Sequence, residues 1–430
     1  MHENHIQIEK RLPGLFTPAA ASTHSLPPAV RFGTAANQEV TTMGPLAGLR
    51  IVEMAGIGPA PFAATLLADM GAELIRVDRR TPTDLGLPGR EAKFNVLHRG
   101  RRSLAVDLKS PQGCEVVKRL AGKADALLEG FRPGVMERLG LGPEALLALN
   151  PRLVFGRMTG FGQEGPMAQS AGHDINYISL AGVLHAIGRR NDEAPVPPLN
   201  LVGDFGGGGM FLAFGIVCAL LEAQQSGLGQ VVDAAMVDGA AYLMGPMFGL
   251  FAQGSWRDER GVNVLDGGSP WYNVYQTKDG KWLSVGAIEQ RFYAEFVRKL
   301  GLDPTQLPAQ HDRRGWPLLA QHFREVIASR SRDEWEQIFA GSDACVAPVL
   351  SLAEVEHHPH NRARHTFLRR DDVLQPAAAP RFSRSQTELG ISPRPLGADT
   401  DAALIDWGFS ADEIGELRRA GIVGAQAEEQ

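Results

Sequence analysis

Between residues 50 and 157 short apolar runs alternate with helical patterns, and this alternation limits the fold more than any other feature of the chain. Residues 50–54 read as a buried strand, 55–61 as a glycine and proline turn, 62–70 as a helix stopped by Gly71, and 74–78 as a second strand. A second unit follows, with a strand over 103–107, Ser110 as N-cap, Pro111 at the first helical position, a helix over 113–121 and a strand over 125–128. Residues 153–157 add another strand. Strands that alternate with helices must run parallel, because each crossover returns the chain to the same edge, and helices then cover both faces. The expected class is α/β, with a Rossmann-like large domain.

The pattern changes after Gly227-Leu228-Gly229. A short strand over 230–234 leads into an Ala-, Met- and Leu-rich stretch, 235–251. Runs over 272–276 and 282–285 flank Asp279-Gly280, a hairpin signal. Helices over 291–300 and 317–329 complete a smaller α+β domain, and the polar stretch 381–395 is expected to wrap the surface. The divisions read from the sequence are an extension (1–43), a large domain (44–234), a linker (235–270), a small domain (271–356), and a linker and C-terminal segment returning to the large domain (357–430). The extension mixes Pro, Ala, Ser and Thr without periodicity and is expected to be disordered, with Met43 as an alternative start. It lacks the apolar core of a signal peptide.

A net charge of −6 and a pI near 6.1 argue against nucleic acid or an anionic membrane as general partners, although a local basic stripe could hold a phosphorylated ligand. Cys114, Cys218 and Cys345 are odd in number and far apart, which supports neither a disulfide framework nor zinc and points to a reducing compartment, the cytoplasm. The longest apolar stretch, 210–221, is too short to span a bilayer and reads as a buried helix. No membrane partner is expected.

Candidate chemistry concentrates in two runs. Asp204 is delivered by an apolar, strand-like approach onto Gly206-Gly207-Gly208-Gly209, as if the backbone were held close to a ligand. His173 and Asp174 lie in Gly172-His173-Asp174-Ile175-Asn176-Tyr177, so a histidine and an aspartate from separate loops could act as two bases; His173 as a helix cap and Asp204 as a turn carboxylate is the plainer alternative. Gly56-Ile57-Gly58 invites a dinucleotide reading, with Asp78 ending the next strand, but Pro61 stands where the fingerprint needs glycine. Basic residues follow the strands instead, and Arg79, Lys109 and Arg132 should converge on the C-terminal rim of a parallel sheet, where a phosphorylated ligand would bind. His357, His358, His360 and His365 match no zinc spacing, and Pro359 is expected to break the helix that would align them, so no metal is assigned. Neither a Gly-x-Ser-x-Gly elbow nor a Walker loop is present.

Five segments occur in order: 44–79, Glu129-Gly130-Phe131-Arg132-Pro133-Gly134, the Gly172 to Tyr177 run, Leu201-Val202-Gly203-Asp204-Phe205-Gly206-Gly207, and Val232-Asp233-Ala234-Ala235-Met236-Val237-Asp238-Gly239. Together they resemble the family III CoA-transferase superfamily and, within it, the α-methylacyl-CoA racemases, over roughly residues 44 to 400. The resemblance implies an interlocked homodimer of large and small domains, with the active site between the large domain of one subunit and the small domain of its partner. Transferases of the superfamily carry a nucleophilic aspartate in a Gly-Tyr-Asp setting, whereas the racemases place histidine before it, as here.

The resemblance further implies that His173 and Asp204 are the catalytic bases, that Glu289 pairs with His173 across the dimer, and that the Asp174 backbone N–H meets the thioester oxygen. Arg79, Val106, Asp107, Leu108, Lys109, Gly130, Phe131, Arg132 and Arg138, with Gly172, Ile175, Asn176 and Tyr177, would line the CoA site. CoA is then part of a 2-methylacyl-CoA substrate and no separate cofactor is called for. The extension and extra loop sequence at 82–93 depart from the family. The alternative is a CoA-transferase with Asp174 as covalent nucleophile. Met236, Met244 and Met247 could offer an adaptable acyl surface, or simply be core.

Overall fold

A computed structural model describes residues 44–81 and 91–426. The proposed extension and most of the extra loop therefore lie outside the described residues. The chain order is β1 (Arg50–Met54), α1 (Pro59–Asp69), β2 (Glu73–Asp78), β3 (Arg101–Ala105), α2 (Pro111–Ala121), β4 (Ala126–Glu129), α3 (Val135–Arg138), α4 (Pro143–Leu149) and β5 (Val154–Thr159). Then come α5 (Asp174–Leu180), α6 (Val183–Ala186), a π-helix (Leu201–Gly209), α7 (Met210–Ser226), β6 (Val231–Ala235), α8 (Met236–Leu243) and α9 (Gly245–Ala252).

The six strands form one parallel sheet in the order β3-β2-β1-β4-β5-β6. This is the doubly wound order, whose ligand crevice opens where the strand order reverses, here between β1 and β4. Val52, Met54, Ile75, Val77 and Leu104 point to one face under α2. Ile51, Leu74, Ala126 and Leu128 point to the other, under α1 and α7. Ser110 Oγ accepts from the Gln112 N–H and Pro111 opens α2, as read from the sequence. The strand expected over 103–107 instead ends at Ala105, because Val106 bridges Val423 and the Asp107 N–H donates to Ile422 O.

The smaller part holds β7 (Tyr272–Gln276), β8 (Trp282–Gly286), α10 (Gln290–Leu300), α11 (Trp316–Ile327), α12 (Arg332–Phe339) and β9 (Val346–Pro348). β7 and β8 pair antiparallel around Gly280, whose φ of 75° makes the turn, and β9 adds a third strand that the sequence did not signal. Its core is aromatic: Trp271, Phe296, Phe323, Trp335 and Phe339. The chain continues through α13 (Pro359–Ala363), β10 (Phe367–Arg370) and β11 (Val373–Pro376) to α14 (Thr400–Asp406) and α15 (Ala411–Arg419). Leu404, Trp407 and Ile414 of this last stretch enter the core beside α2.

The apolar stretch 235–251 forms two helices, since Gly245-Pro246 ends one and starts the next. Two expectations need correction. Pro359 does not break a helix but begins one, with His358 as its N-cap, accepting through Nδ1 from the His360 N–H while its Nε2 meets Glu336 at 2.9 Å. The helix expected to be buried runs unbroken from Leu201 to Ser226, 26 residues long and apolar enough by length and composition to cross a membrane. One of its faces packs on the sheet through Leu212, Ile216 and Leu220, while Met210, Phe214, Val217 and Leu221 are exposed.

Candidate active site

The first turn of α5 is tied to the π-helix by one hydrogen bond and braced by two more within itself. The Asp174 carboxylate is buried, and its Oδ1 accepts from the Asp204 backbone N–H at 2.6 Å. Gly203 permits this approach, since a Cβ there would lie 2.5 Å from Asp174 Oδ1. Asn176 Oδ1 accepts from the His173 N–H at 3.0 Å, and the Tyr177 hydroxyl donates to Gly172 O. Two residues 31 positions apart, His173 and Asp204, thereby share one site, and the charge of His173 is felt by Asp204.

The glycine run has a different purpose from the one expected. It is not a strand-like approach with its backbone bared to a ligand. A Cβ on Gly207 would lie 2.5 Å from Ala240 N, one on Gly208 would lie 2.8 Å from Met236 Cγ, and one on Gly209 would lie 2.7 Å from Phe62 Cδ1. The glycines let the π-helix press against α8 and α1, and Phe205 stacks on Phe62 at 4.6 Å. Such π turns widen a helix and are frequent at functional sites. Gly58, with φ of 69°, caps α1 next to the Asp204 carboxylate.

Burial pushes the Asp204 carboxyl above its ordinary range; the hydrogen bond from Asn200 Nδ2 and the charge of His173 pull it back, and Asp174 pushes it further up. Burial also raises the Tyr177 hydroxyl, with Asp204 and Asp174 adding to it and Arg132 opposing. Arg132 thus reaches electrostatically toward the same site. Burial pushes the Glu129 carboxyl up to about 7, against the Phe131 N–H and Arg157.

The arginines divide sharply. Arg76 pairs with Asp78 at 2.9 Å, Arg99 with Asp69 at 2.7 Å and Arg101 with Glu53 at 2.6 Å, all buried. Asp78, also an acceptor for Ser103 Oγ, is committed and cannot serve a ribose. Arg79, Lys109, Arg132 and Arg138 instead lie exposed after β2, β3 and β4 on one rim of the sheet, and none forms an ion pair among the described residues.

Other predicted site residues are placed differently from one another. The Val106 side chain is fully buried in the core, Leu108 packs against that core, and Asp107 Oδ1 accepts from the Lys109 N–H. Gly130 is exposed beside Ala60, and the Phe131 N–H donates to Glu129 Oε2. Tyr177 is buried, edge-on to Phe161 at 4.9 Å with its hydroxyl on Gly172 O, so it braces the backbone ahead of His173. Ile175 and His173 are exposed. Glu289 caps α10, exposed and near Cys345, and forms no ion pair within its own chain among the described residues. An apolar cavity of about 910 Å³ separates the two parts of the chain; Val202, Met244, Met247, Tyr272, Gly286 and Cys345 are among its walls. Met236 is buried against Gly208 instead.

The family model for CoA-transferase family III matches residues 46–400. The chain belongs to CoA-transferase family III. Alpha-methylacyl-CoA racemase of Mus musculus is 48% identical over 380 residues, covering 88% of this chain and 97% of the mouse protein. The Homo sapiens protein of the same name is 44% identical with the same coverage. Among solved structures, a CAIB/BAIF family protein from Brucella suis superposes with a TM-score of 0.71 at 25% identity, covering 85% of this chain and all of that one. The family III resemblance read from the ordered motifs is thus established over most of the chain, and so is its α/β architecture.

Proposed function

We propose that the chain interconverts the 2R and 2S epimers of 2-methylacyl-CoA thioesters by moving one proton off C2 and another on. The observation that carries this reading is the meeting of His173 and Asp204 through the Asp174 to Asp204 hydrogen bond, together with the likeness to two racemases. The C2 proton is weakly acidic, so its removal needs a placed base and a donor for the enolate oxygen. His173 removes it from one epimer while protonated Asp204 delivers a proton to the opposite face; the roles exchange for the other epimer. The rise of the Asp204 carboxyl is in the direction that a proton donor needs. The Asp174 N–H, at the first position of α5 and ahead of the helical ladder, is the donor assigned to the enolate oxygen. The rim cations Arg79, Lys109, Arg132 and Arg138 would bind the CoA phosphates, and the chemistry itself needs no further cofactor.

The working unit of this reading is a homodimer. Met210, Phe214, Val217 and Leu221 of α7 continue through the Phe211 to Tyr242 contact to Phe248 and Phe251 of α9, an apolar surface suited to a second copy. Glu289 of the partner subunit would then pair with His173. A fully active monomer in sedimentation would contradict this. The transferase alternative requires the Asp174 carboxylate to take the acyl group; that carboxylate is buried, with Oδ1 holding the Asp204 N–H and Oδ2 without a hydrogen-bond partner among the described residues. The test is incubation of one epimer of a 2-methylacyl-CoA in D₂O: deuterium at C2 with formation of the other epimer is expected, and neither appearing while CoA binds would refute it.

A further inference from the structure

The stretch from the end of β4 through α3, residues 130–138, carries Arg132 and Arg138, two of the four rim cations that form no ion pair among the described residues, yet these nine residues of coil and short helix have no ladder to hold them. What holds it comes from β5. Arg157 stands opposite Glu129 in the parallel register, and the Arg157 residue is only 7% exposed. Its Nε donates to Glu129 Oε1 at 3.0 Å, while Nη1 and Nη2 donate to the two oxygens of Glu137 at 2.8 and 3.3 Å. Glu129 passes the constraint on, because its Oε2 accepts from the Phe131 N–H at 2.6 Å. A further tie holds the middle, where Gln169 Nε2 donates to Pro133 O at 3.2 Å. Gly134, at φ of 81°, starts α3 where a Cβ would lie 3.2 Å from Arg138 Nη1.

We infer that Arg157 is a positioning residue, clamping Glu129 and Glu137 at the two ends of this segment so that Arg132 and Arg138 are presented to the CoA phosphates. The inference rests on the CoA-site reading above. The charge arrangement supports it: Arg157 lies between two carboxylates and is removed from ligand binding, whereas Arg132 and Arg138 form no ion pair among the described residues. The planar fork is needed, since one guanidinium must face a strand end and a helix at once, which an ammonium cannot do with the same directionality. A segment already set in its bound geometry loses less freedom when a ligand arrives, so the effect should appear in affinity.

The experiment is calorimetric titration of the full chain with free coenzyme A, alongside steady-state kinetics. Arg157→Lys and the milder Glu137→Gln, at a partly exposed carboxylate, should each weaken CoA binding by about tenfold, with KM following and kcat changed by less than about twofold. In an Arg132→Ala, Arg138→Ala background, Glu137→Gln should weaken CoA no further, because the groups it acts through are gone. An unchanged affinity in folded Glu137→Gln protein, or equal weakening in both backgrounds, would overturn the clamp. So would a wild-type chain that does not bind CoA. CoA binding without epimerisation would sink the racemase reading alone, with the clamp still judged on affinity.

Discussion

Two helices of the large domain obey opposite rules. α2 follows every local signal: a serine cap whose Oγ accepts from Gln112, proline at its first position, Lys118 and Arg119 in its last turn, and Val116, Val117 and Leu120 turned to the core. The π-helix that opens α7 follows none. It holds five glycines in nine residues, each costing about 0.5–1 kcal/mol relative to alanine in a helix interior, and has no side-chain cap. It exists because Asp174, α1 and α8 hold it from outside. The helix set by local sequence is scaffold, and the helix imposed by its surroundings carries Asp204. This is the pattern expected where a site stores an unfavourable local conformation that the rest of the fold maintains.

The largest test of this contrast is chemical. Asp204→Asn should lower the epimerisation rate by about 10²–10⁴ while leaving the denaturation midpoint near that of wild type; a fully active variant would separate the π-helix from catalysis. Next in size, Gly207→Ala should destabilise the chain by about 1–3 kcal/mol in chemical denaturation, since its Cβ would lie 2.5 Å from Ala240 N. No loss there would mean that the glycines do not serve close packing. In the other helix, Ser110→Ala should cost only about 1 kcal/mol and leave the rate alone, a cap being a local matter.

The smallest effect concerns pH. Asn200 Nδ2 donates to Asp204 Oδ2 and favours the carboxylate. Asn200→Ala removes that donor, so the Asp204 proton is held more tightly and the limb of the pH–rate profile belonging to Asp204 should move to higher pH. A shift to lower pH would mean that Asn200 favours the protonated form.

Much of the scaffold was legible because its signals are short in range. The strands 50–54 and 272–276 were read at their true limits, and the cap of α2 at the right residue, since periodicity and capping depend on neighbours a few positions away. The two candidate bases were legible as residue types, and the ordered motifs were legible as family III. The role of the glycines was not, because nothing within residues 203–209 says that α8 and α1 will lie against them. Nor was the division of the arginines. Arg76 and Arg79 stand three apart in one strand and its exit, yet one is enclosed by Asp78 while the other lies exposed at the rim, with no ion pair among the described residues.

The sequence by itself determined the parallel α/β plan, the hairpin of the smaller part and the identity of the residues able to carry charge or protons at the rim. These follow from side-chain period, turn chemistry and titratable type, which belong to the chain before it folds. Only the tertiary structure decided that Asp174 would grip Asp204, that residues 201–209 would widen into a π-helix, and that Arg157 would tie a strand to a short helix. Each of these depends on groups at least 20 residues apart coming into contact, and such meetings arise when the sheet and its helices pack.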